Sequence, residues 1–489
     1  MRDDLYRLTA HEIRDAIRTG DTTAVKVTES CLDRIGEVET KVDAFVAVWR
    51  DSALERAQDI DARIQKGDAV GALAGVPIGL KDNFNTIEGT TSCASRILKG
   101  FESPYNGTVV QRLLDADAVI LGKTNMDEFA MGSSTENSSV KLTRNPWDLE
   151  RVPGGSSGGS AVSVACDQVA FSLGSDTGGS IRQPAAFSGC IGMKPTYGRV
   201  SRYGLVAFAS SLDQIGPFTK DTEDLALVMN AISGRDPRDA TSADVPVPDY
   251  TQSLREDISD LTIGLPKEFY TDALGDEMRT KIEEAVSVLE KQGAKVIEVS
   301  LPHTDYGIAV YYVITSAEAS ANLARFDGVR YGYRHPDAKN VEDMYALTKT
   351  HGFGKEVQRR IMLGTYVLSS GYYDAYYLKA QKVRALIRKD FDDAFQSCDV
   401  IVTPTTPTPA FRFAEKTDDP LQMYLNDVYT NSVNLAGIPG VSIPCGFSSE
   451  NLPLGLQLIG KPFSEETLIR TAYTYEQHRG FKLDPAPVA

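Results

Sequence analysis

No run of about 18 apolar residues occurs in this chain, so the sequence offers no membrane-spanning helix. Its N-terminus, MRDDLYRLTAHEIRDAI, lacks a basic patch leading into an apolar stretch, which argues against a secretory signal. Cysteine is scarce, with six residues (Cys31, Cys93, Cys166, Cys190, Cys398, Cys445) and no CxxC pair, so neither a zinc site nor a disulfide framework is expected. A reducing cytoplasm is the simplest setting for such a chain. Histidine is scarcer, at five residues (His11, His303, His335, His351, His478). Positive charge is in deficit, giving a net charge of −16. A chain of that sign repels polyanions and is not built to hold nucleic acid over a broad surface. If it serves an RNA pathway, a partner must hold the RNA. What is present suits a soluble globular protein: 42% hydrophobic and 24% charged residues over 489 positions, enough for a large core.

The order of elements predicts an α/β fold. Thr9 and Glu12 form a capping box ahead of Ile13 and Ile17, and Val27, Cys31 and Ile35 recur at helical spacing. Residues 42–50 read as a strand and 51–66 as a further helix. The stretch 71–80 is apolar and Gly-rich and ends at Lys81, and short apolar strands are expected at 118–122, 169–173, 261–265, 294–301, 399–403 and 440–444, with helices at 160–165, 276–292 and 375–395 among others. Strands of this kind alternating with helices imply a mixed, mostly buried central sheet covered on both faces. Residues 234–252, rich in Asp and Pro, read as an exposed loop. The expected organisation is a helical flank over 1–66 packed on a core over 67–489, whose chemical motifs lie in 71–220, all one compact unit.

Two Gly/Ser segments stand out, GGSSGGS (154–160) and GSDTGGSIRQP (174–184). Flexible linkers join domains, yet both runs are hemmed in by apolar segments. A phosphate loop of the Walker type needs a Lys after its glycines, and none follows here. Gly154, Ser156 and Gly158 satisfy GxSxG, but the nucleophile elbow follows a strand, and NPWDLERVP is poor strand material. Ser180, by contrast, closely follows VAFSL. A serine hydroxyl needs a base. None of the five histidines sits in a small-residue turn beside a buried strand. Lys81, ending the apolar stretch AGVPIGLK, is the other candidate, because desolvation can hold an amine neutral. The backbone N–H groups of Thr177, Gly178, Gly179 and Ser180 could form an oxyanion hole. Asp176 and Arg182 flank that loop and read as an ion pair holding its shape.

GVPIGLKDNF around Lys81, GGSSGGSA around Ser156, GSDTGGSIRQPA around Ser180 and GCIGMKPTYGRVS (189–201) resemble the amidase signature family, in order and in spacing. The resemblance implies a Ser–cisSer–Lys set: Ser180 as nucleophile, Ser156 after a cis peptide as proton relay, and Lys81 as ultimate base. Four further segments (122–138, 316–334, 359–384 and 434–440) resemble the glutaminase components of bacterial-type Glu-tRNA(Gln)/Asp-tRNA(Asn) amidotransferases, and this likeness runs along nearly the whole chain. By that likeness, L-glutamine is the substrate. Ammonia passes to a B subunit that holds most of the tRNA and uses ATP and Mg, a C subunit clamps the heterotrimer, and this chain itself needs no metal or cofactor. A free amino acid calls for an arginine fork on its α-carboxylate and a carboxylate on its α-amino group. The likeness assigns these to Arg360, with Arg359 as the alternative, and to Asp427. Tyr311 would line the pocket.

Overall fold

The computed structural model describes residues 4–270, 274–417, 419–483 and 485–488. Among the described residues, eleven strands join one sheet: β1 (Phe45–Val48), β2 (Pro77–Lys81), β3 (Val119–Thr124), β4 (Phe171–Asp176), β5 (Ile191–Lys194), β6 (Gln214–Thr219), β7 (Thr262–Pro266), β8 (Lys295–Val299), β9 (Val400–Pro404), β10 (Gly440–Phe447) and β11 (Pro453–Gly460). Their order is β1-β3-β2-β4-β6-β5-β10-β11-β9-β7-β8. The sheet is mixed, with β2 parallel to both β3 and β4, and β7 parallel to both β8 and β9. Every residue of β2, β3, β4, β5, β6, β9 and β11 is buried. Successive strand residues face opposite sides, so both faces of the sheet are covered.

The covering helices are α1 (Ala10–Thr19), α2 (Ala24–Val42), α3 (Arg50–Lys66), α4 (Thr108–Asp115), α5 (Gly158–Ala165), α6 (Arg182–Ser188), α7 (Thr222–Ile232), α8 (Asp276–Lys291), α9 (Gly307–Asn322), α10 (Val341–Gly352), α11 (Lys355–Val367), α12 (Lys379–Ala394), α13 (Pro420–Tyr424), α14 (Asn431–Ala436) and α15 (Glu465–His478). The capping box at Thr9 and Glu12 is formed. The Asp224 carboxylate of α7 then accepts the N–H groups of Ala10 (2.7 Å) and His11 (2.9 Å), tying α1 to the core. Residues 1–66 also supply the edge strand β1, which runs antiparallel to β3. Among the described residues no helix is long and apolar enough to cross a membrane.

Three readings of the sequence need correction. The segment 294–301 is not a buried strand: β8 is the last strand of the sheet, has a neighbour on one side, and buries only Val299. The helix expected at 375–395 begins as α-helix at Lys379, preceded by a π-helical turn, Asp374–Leu378, in which no residue is buried. The helix expected from Ser160 starts two residues earlier, at Gly158. The loop 234–252 is largely exposed, yet Asp236 and Tyr250 are buried in it and anchor it.

Candidate active site

The parallel pairing of β2 with β4 sets Leu80 opposite Leu173, so the C-terminal ends of the two strands emerge side by side. Lys81 is the last residue of β2. The loop 177–180 follows β4 directly, and Ser156 and Ser157 immediately precede α5. Strand C-terminal ends at a change of sheet direction are where open α/β sheets place ligands, and β4 lies at such a change, parallel to β2 and antiparallel to β6. No strand lies between β3 and Ser156, in keeping with the rejection of an elbow there.

Lys81 is fully buried. Its Nζ lies 2.8 Å from Ser156 Oγ, 2.7 Å from Ser157 Oγ, 3.0 Å from Ser175 Oγ and 3.3 Å from the Ser175 carbonyl. Burial lowers its pKa from 10.5 to about 7, against the opposing pull of Asp127, Asp176 and Asp213. Near neutrality the amine therefore spends much of its time uncharged. A neutral amine has two N–H donors and one lone pair. The Ser157 hydroxyl donates to the Ser175 carbonyl (3.2 Å), so its oxygen serves Lys81 as an acceptor. Ser175 Oγ accepts from Asn83 Nδ2 (2.9 Å), which leaves its own proton free on the side of Lys81. Among the described residues Ser156 and Ser175 each keep a hydroxyl proton with no other acceptor, so either can donate into the lone pair. The peptide bond between Gly155 and Ser156 is cis, as the family resemblance implies.

Ser180 retains 7% exposure, whereas Ser156 and Ser157 are fully buried. Among the described residues its hydroxyl makes no hydrogen bond, so the second link of the expected relay is not closed here. Catalytic hydrogen bonds commonly tighten only around substrate. The loop carrying Ser180 is fixed by the Asp176 carboxylate. It accepts from the N–H groups of Gly179 (2.8 Å) and Ile181 (3.1 Å), from Arg182 Nε and Nη2 (both 3.0 Å) and from Asn434 Nδ2 (2.9 Å). Asp176 and Arg182 are both fully buried, and their pairing is the expected ion pair. Burial alone would raise the Asp176 pKa, but Arg182 overcomes it and holds the carboxyl at about 2. This network corrects the expected oxyanion hole. The Gly179 N–H is committed to Asp176, which leaves the N–H groups of Thr177, Gly178 and Ser180 as candidate donors.

Of the residues expected around a free amino acid, Tyr311 and Asp427 lie against the same loop. A Cβ at Gly178 would lie 2.5 Å from the Tyr311 ring and 2.5 Å from Asn431 Oδ1, which places both against the loop. Asp427 is buried beside Gly179 and accepts a hydrogen bond from the Ser133 hydroxyl. Burial pushes its pKa up to about 7. Arg360 of α11 is buried, with its guanidinium 4.9 Å from the Tyr312 ring centre and 5.6 Å from that of Tyr424. Its Nε donates to Glu356 (2.7 Å). Among the described residues neither Nη group is hydrogen-bonded, so the open end of the fork is free. Arg359 turns the other way, with its side chain 52% exposed and paired with Glu356 at 2.5 Å. The structure thus separates two arginines that the sequence leaves equivalent.

Sequence reasoning missed Ser157, Ser175, Asn83, Ser133 and Glu356. Ser157 and Ser175 lie inside the motifs already singled out, and an even count of donors and acceptors around an amine is the signal that would have found them. The histidines are engaged elsewhere. His11 sits against Asp224 (2.9 Å), His303 against Asp390 (2.8 Å), His478 against Glu256 (2.7 Å), and the His335 and His351 rings face each other at 4.6 Å.

Known proteins resemble this chain along nearly its whole length. The family described as Amidase matches residues 26–469. The A subunit of the Glutamyl-tRNA(Gln) amidotransferase of Carboxydothermus hydrogenoformans is 58% identical over 478 residues, 98% of each chain. The crystal structure of the corresponding Glutamyl-tRNA(Gln) amidotransferase component from Thermotoga maritima, likewise the A subunit, superposes with a TM-score of 0.81 at 42% identity, covering 99% of each chain. The native peptide amidase of Stenotrophomonas maltophilia superposes with a TM-score of 0.84 at 30% identity, covering 98% of each chain.

Proposed function

The chain belongs to the amidase family, and from that premise we propose that it is the glutaminase component of a tRNA-dependent amidotransferase. The observation that carries the chemistry is the fully buried Lys81 amine, 2.8 Å from the Ser156 hydroxyl. A buried arginine whose terminal N–H groups are free among the described residues, Arg360, and the buried Asp427 carboxylate beside Gly179 support a free α-amino acid as substrate. The near full-length likeness, at 58% identity, to a relative named for Glutamyl-tRNA(Gln) amidotransferase supports glutamine in particular.

In this mechanism L-glutamine binds with its α-carboxylate on Arg360, its α-ammonium on Asp427, and its side chain along Tyr311. Its amide carbonyl meets the N–H groups of Thr177, Gly178 and Ser180. Neutral Lys81 takes the Ser156 proton as Ser156 takes the Ser180 proton. Ser180 Oγ attacks the amide carbon, and the negative charge on the carbonyl oxygen is held by the loop. The C–N bond breaks, and the nitrogen leaves as ammonia with the proton returned through Ser156. A γ-glutamyl ester remains on Ser180. Water, deprotonated along the same relay, then attacks the ester and releases glutamate. Each step uses only this chain and water. ATP and Mg²⁺ act in the partner, where the ammonia amidates Glu-tRNA(Gln), Asp-tRNA(Asn) or both. A B subunit holds the tRNA and a C subunit clamps the cytoplasmic complex.

The test is ammonia release from L-glutamine by the purified protein, alone and with B and C subunits, alongside fluorophosphonate labelling. Labelling at Ser180 together with glutamine turnover supports the proposal. Labelling without any glutamine turnover, with partners present, overturns the glutaminase reading and points to a stand-alone hydrolase of another amide.

A further inference from the structure

Asn431 opens α14 and is fully buried, yet neither Oδ1 nor Nδ2 has a hydrogen-bond partner. A buried carboxamide left unpaired is costly and uncommon, and it asks for an explanation. Its surroundings supply one. Oδ1 is one of the atoms that a side chain at Gly178 would strike, beside the Tyr311 ring. The neighbouring Thr430 hydroxyl donates to the Gly178 carbonyl (2.6 Å) and holds the 430–431 backbone against the loop. The orphaned amide thus lies at the loop that receives the substrate's own amide, while Asp427 takes the α-ammonium end.

We propose that Asn431 is a substrate contact that reads the amide end of glutamine, its Oδ1 accepting an N–H of the carboxamide nitrogen. The inference rests on the glutaminase reading and deepens it. Backbone N–H donors alone bind the carbonyl oxygen of an amide, an ester or an acid alike. An acceptor placed at the nitrogen distinguishes an amide, which carries N–H, from a carboxylate, which does not. Asn431 thereby favours glutamine over the glutamate product. The contact gives the unpaired Oδ1 a partner that the substrate supplies.

The test compares L-glutamine with L-glutamate γ-methyl ester, which keeps both α groups and the γ-carbonyl but has no amide N–H. In Asn431→Leu, kcat/KM for glutamine is expected to fall about tenfold while that for the ester stays within about twofold, the size of one lost hydrogen bond. The same variant should melt at a higher temperature without substrate, because an unpaired polar group has left the core. A lower melting temperature with unchanged glutamine kinetics overturns the proposal and makes Asn431 structural. An equal loss on both substrates also overturns it. Should the leucine variant fail to fold, Asn431→Ala repeats the amide–ester comparison and is judged by the same criterion. Wild-type protein that hydrolyses neither compound while still being labelled by fluorophosphonate marks a failure of the glutaminase reading instead.

Discussion

Lys81 and Lys194 are both fully buried strand-end lysines, and burial brings each to a pKa of about 7. Their neighbours differ. Lys194 donates to two backbone carbonyls, those of Pro195 (2.9 Å) and Ile438 (2.6 Å). Lys123, brought to about 8 by burial, donates to the Phe84 carbonyl and to Thr91, whose own hydroxyl donates to that same carbonyl. Carbonyls can only accept, so these two amines pin backbone and have no proton to collect. Lys81 faces three hydroxyls besides the Ser175 carbonyl, and those of Ser156 and Ser175 each have a proton free to donate to it. A depressed pKa is thus a consequence of burial that all three lysines share. A hydroxyl facing the lone pair separates them.

That contrast can be broken most directly by exchanging each lysine for methionine. Lys81→Met is expected to lower kcat for glutamine by about 10³-fold, as is usual for loss of a general base. Lys194→Met should leave kcat within about threefold. Comparable losses in a steady-state ammonia assay would erase the distinction. The next largest effect concerns the arginines. Arg360→Ala should raise KM for glutamine about a hundredfold by removing a buried charged partner, whereas Arg359→Ala should change it less than about twofold. A KM that moves with Arg359 instead would reassign the carboxylate ligand. Acidity sharpens the comparison further. Lys81 becomes a base as it loses its proton near pH 7, and Asp427 becomes an anion over the same range. Both changes raise activity as pH rises. The pH profile of kcat/KM should therefore climb through about 7 with a slope above one, and Asp427→Asn should reduce that slope to about one. A profile flat between pH 6 and 8 would show that neither group titrates there. The smallest effect is on stability: Lys194→Met should cost on the order of 1–3 kcal/mol in chemical denaturation by orphaning two carbonyls.

The sequence displayed much of this arrangement, and its blind spots have physical causes. Apolar runs such as DVIVT and GVSIP are β9 and β10, because full burial writes itself into composition. β11 escapes such a reading, since PLGLQLIG mixes Pro and Gly into a strand that is legible only through its seven-pair ladder with β10. The candidate nucleophile loop is visible as a Gly-rich turn after a strand, but the direction of the Gly179 N–H depends on where Asp176 sits, which no local pattern encodes. Lys81 stood out because it ends the apolar stretch AGVPIGLK, and the family motif then gave it its role; Lys123 and Lys194 lie at or near strand ends too, so burial at a strand end is not by itself distinctive. Arg359 and Arg360 are adjacent on α11, and only the packing of that helix turns one inward and the other to solvent.

All six cysteines are free and buried. Burial raises the thiol of Cys31 to about 12 and that of Cys398 to about 11, so neither yields a thiolate readily at neutral pH. A cysteine engineered on the surface would therefore face little competition from the native ones for a maleimide probe. The molecule can carry a single fluorophore or spin label without a cysteine-free background, and assembly with its partners can be followed at whichever face is chosen.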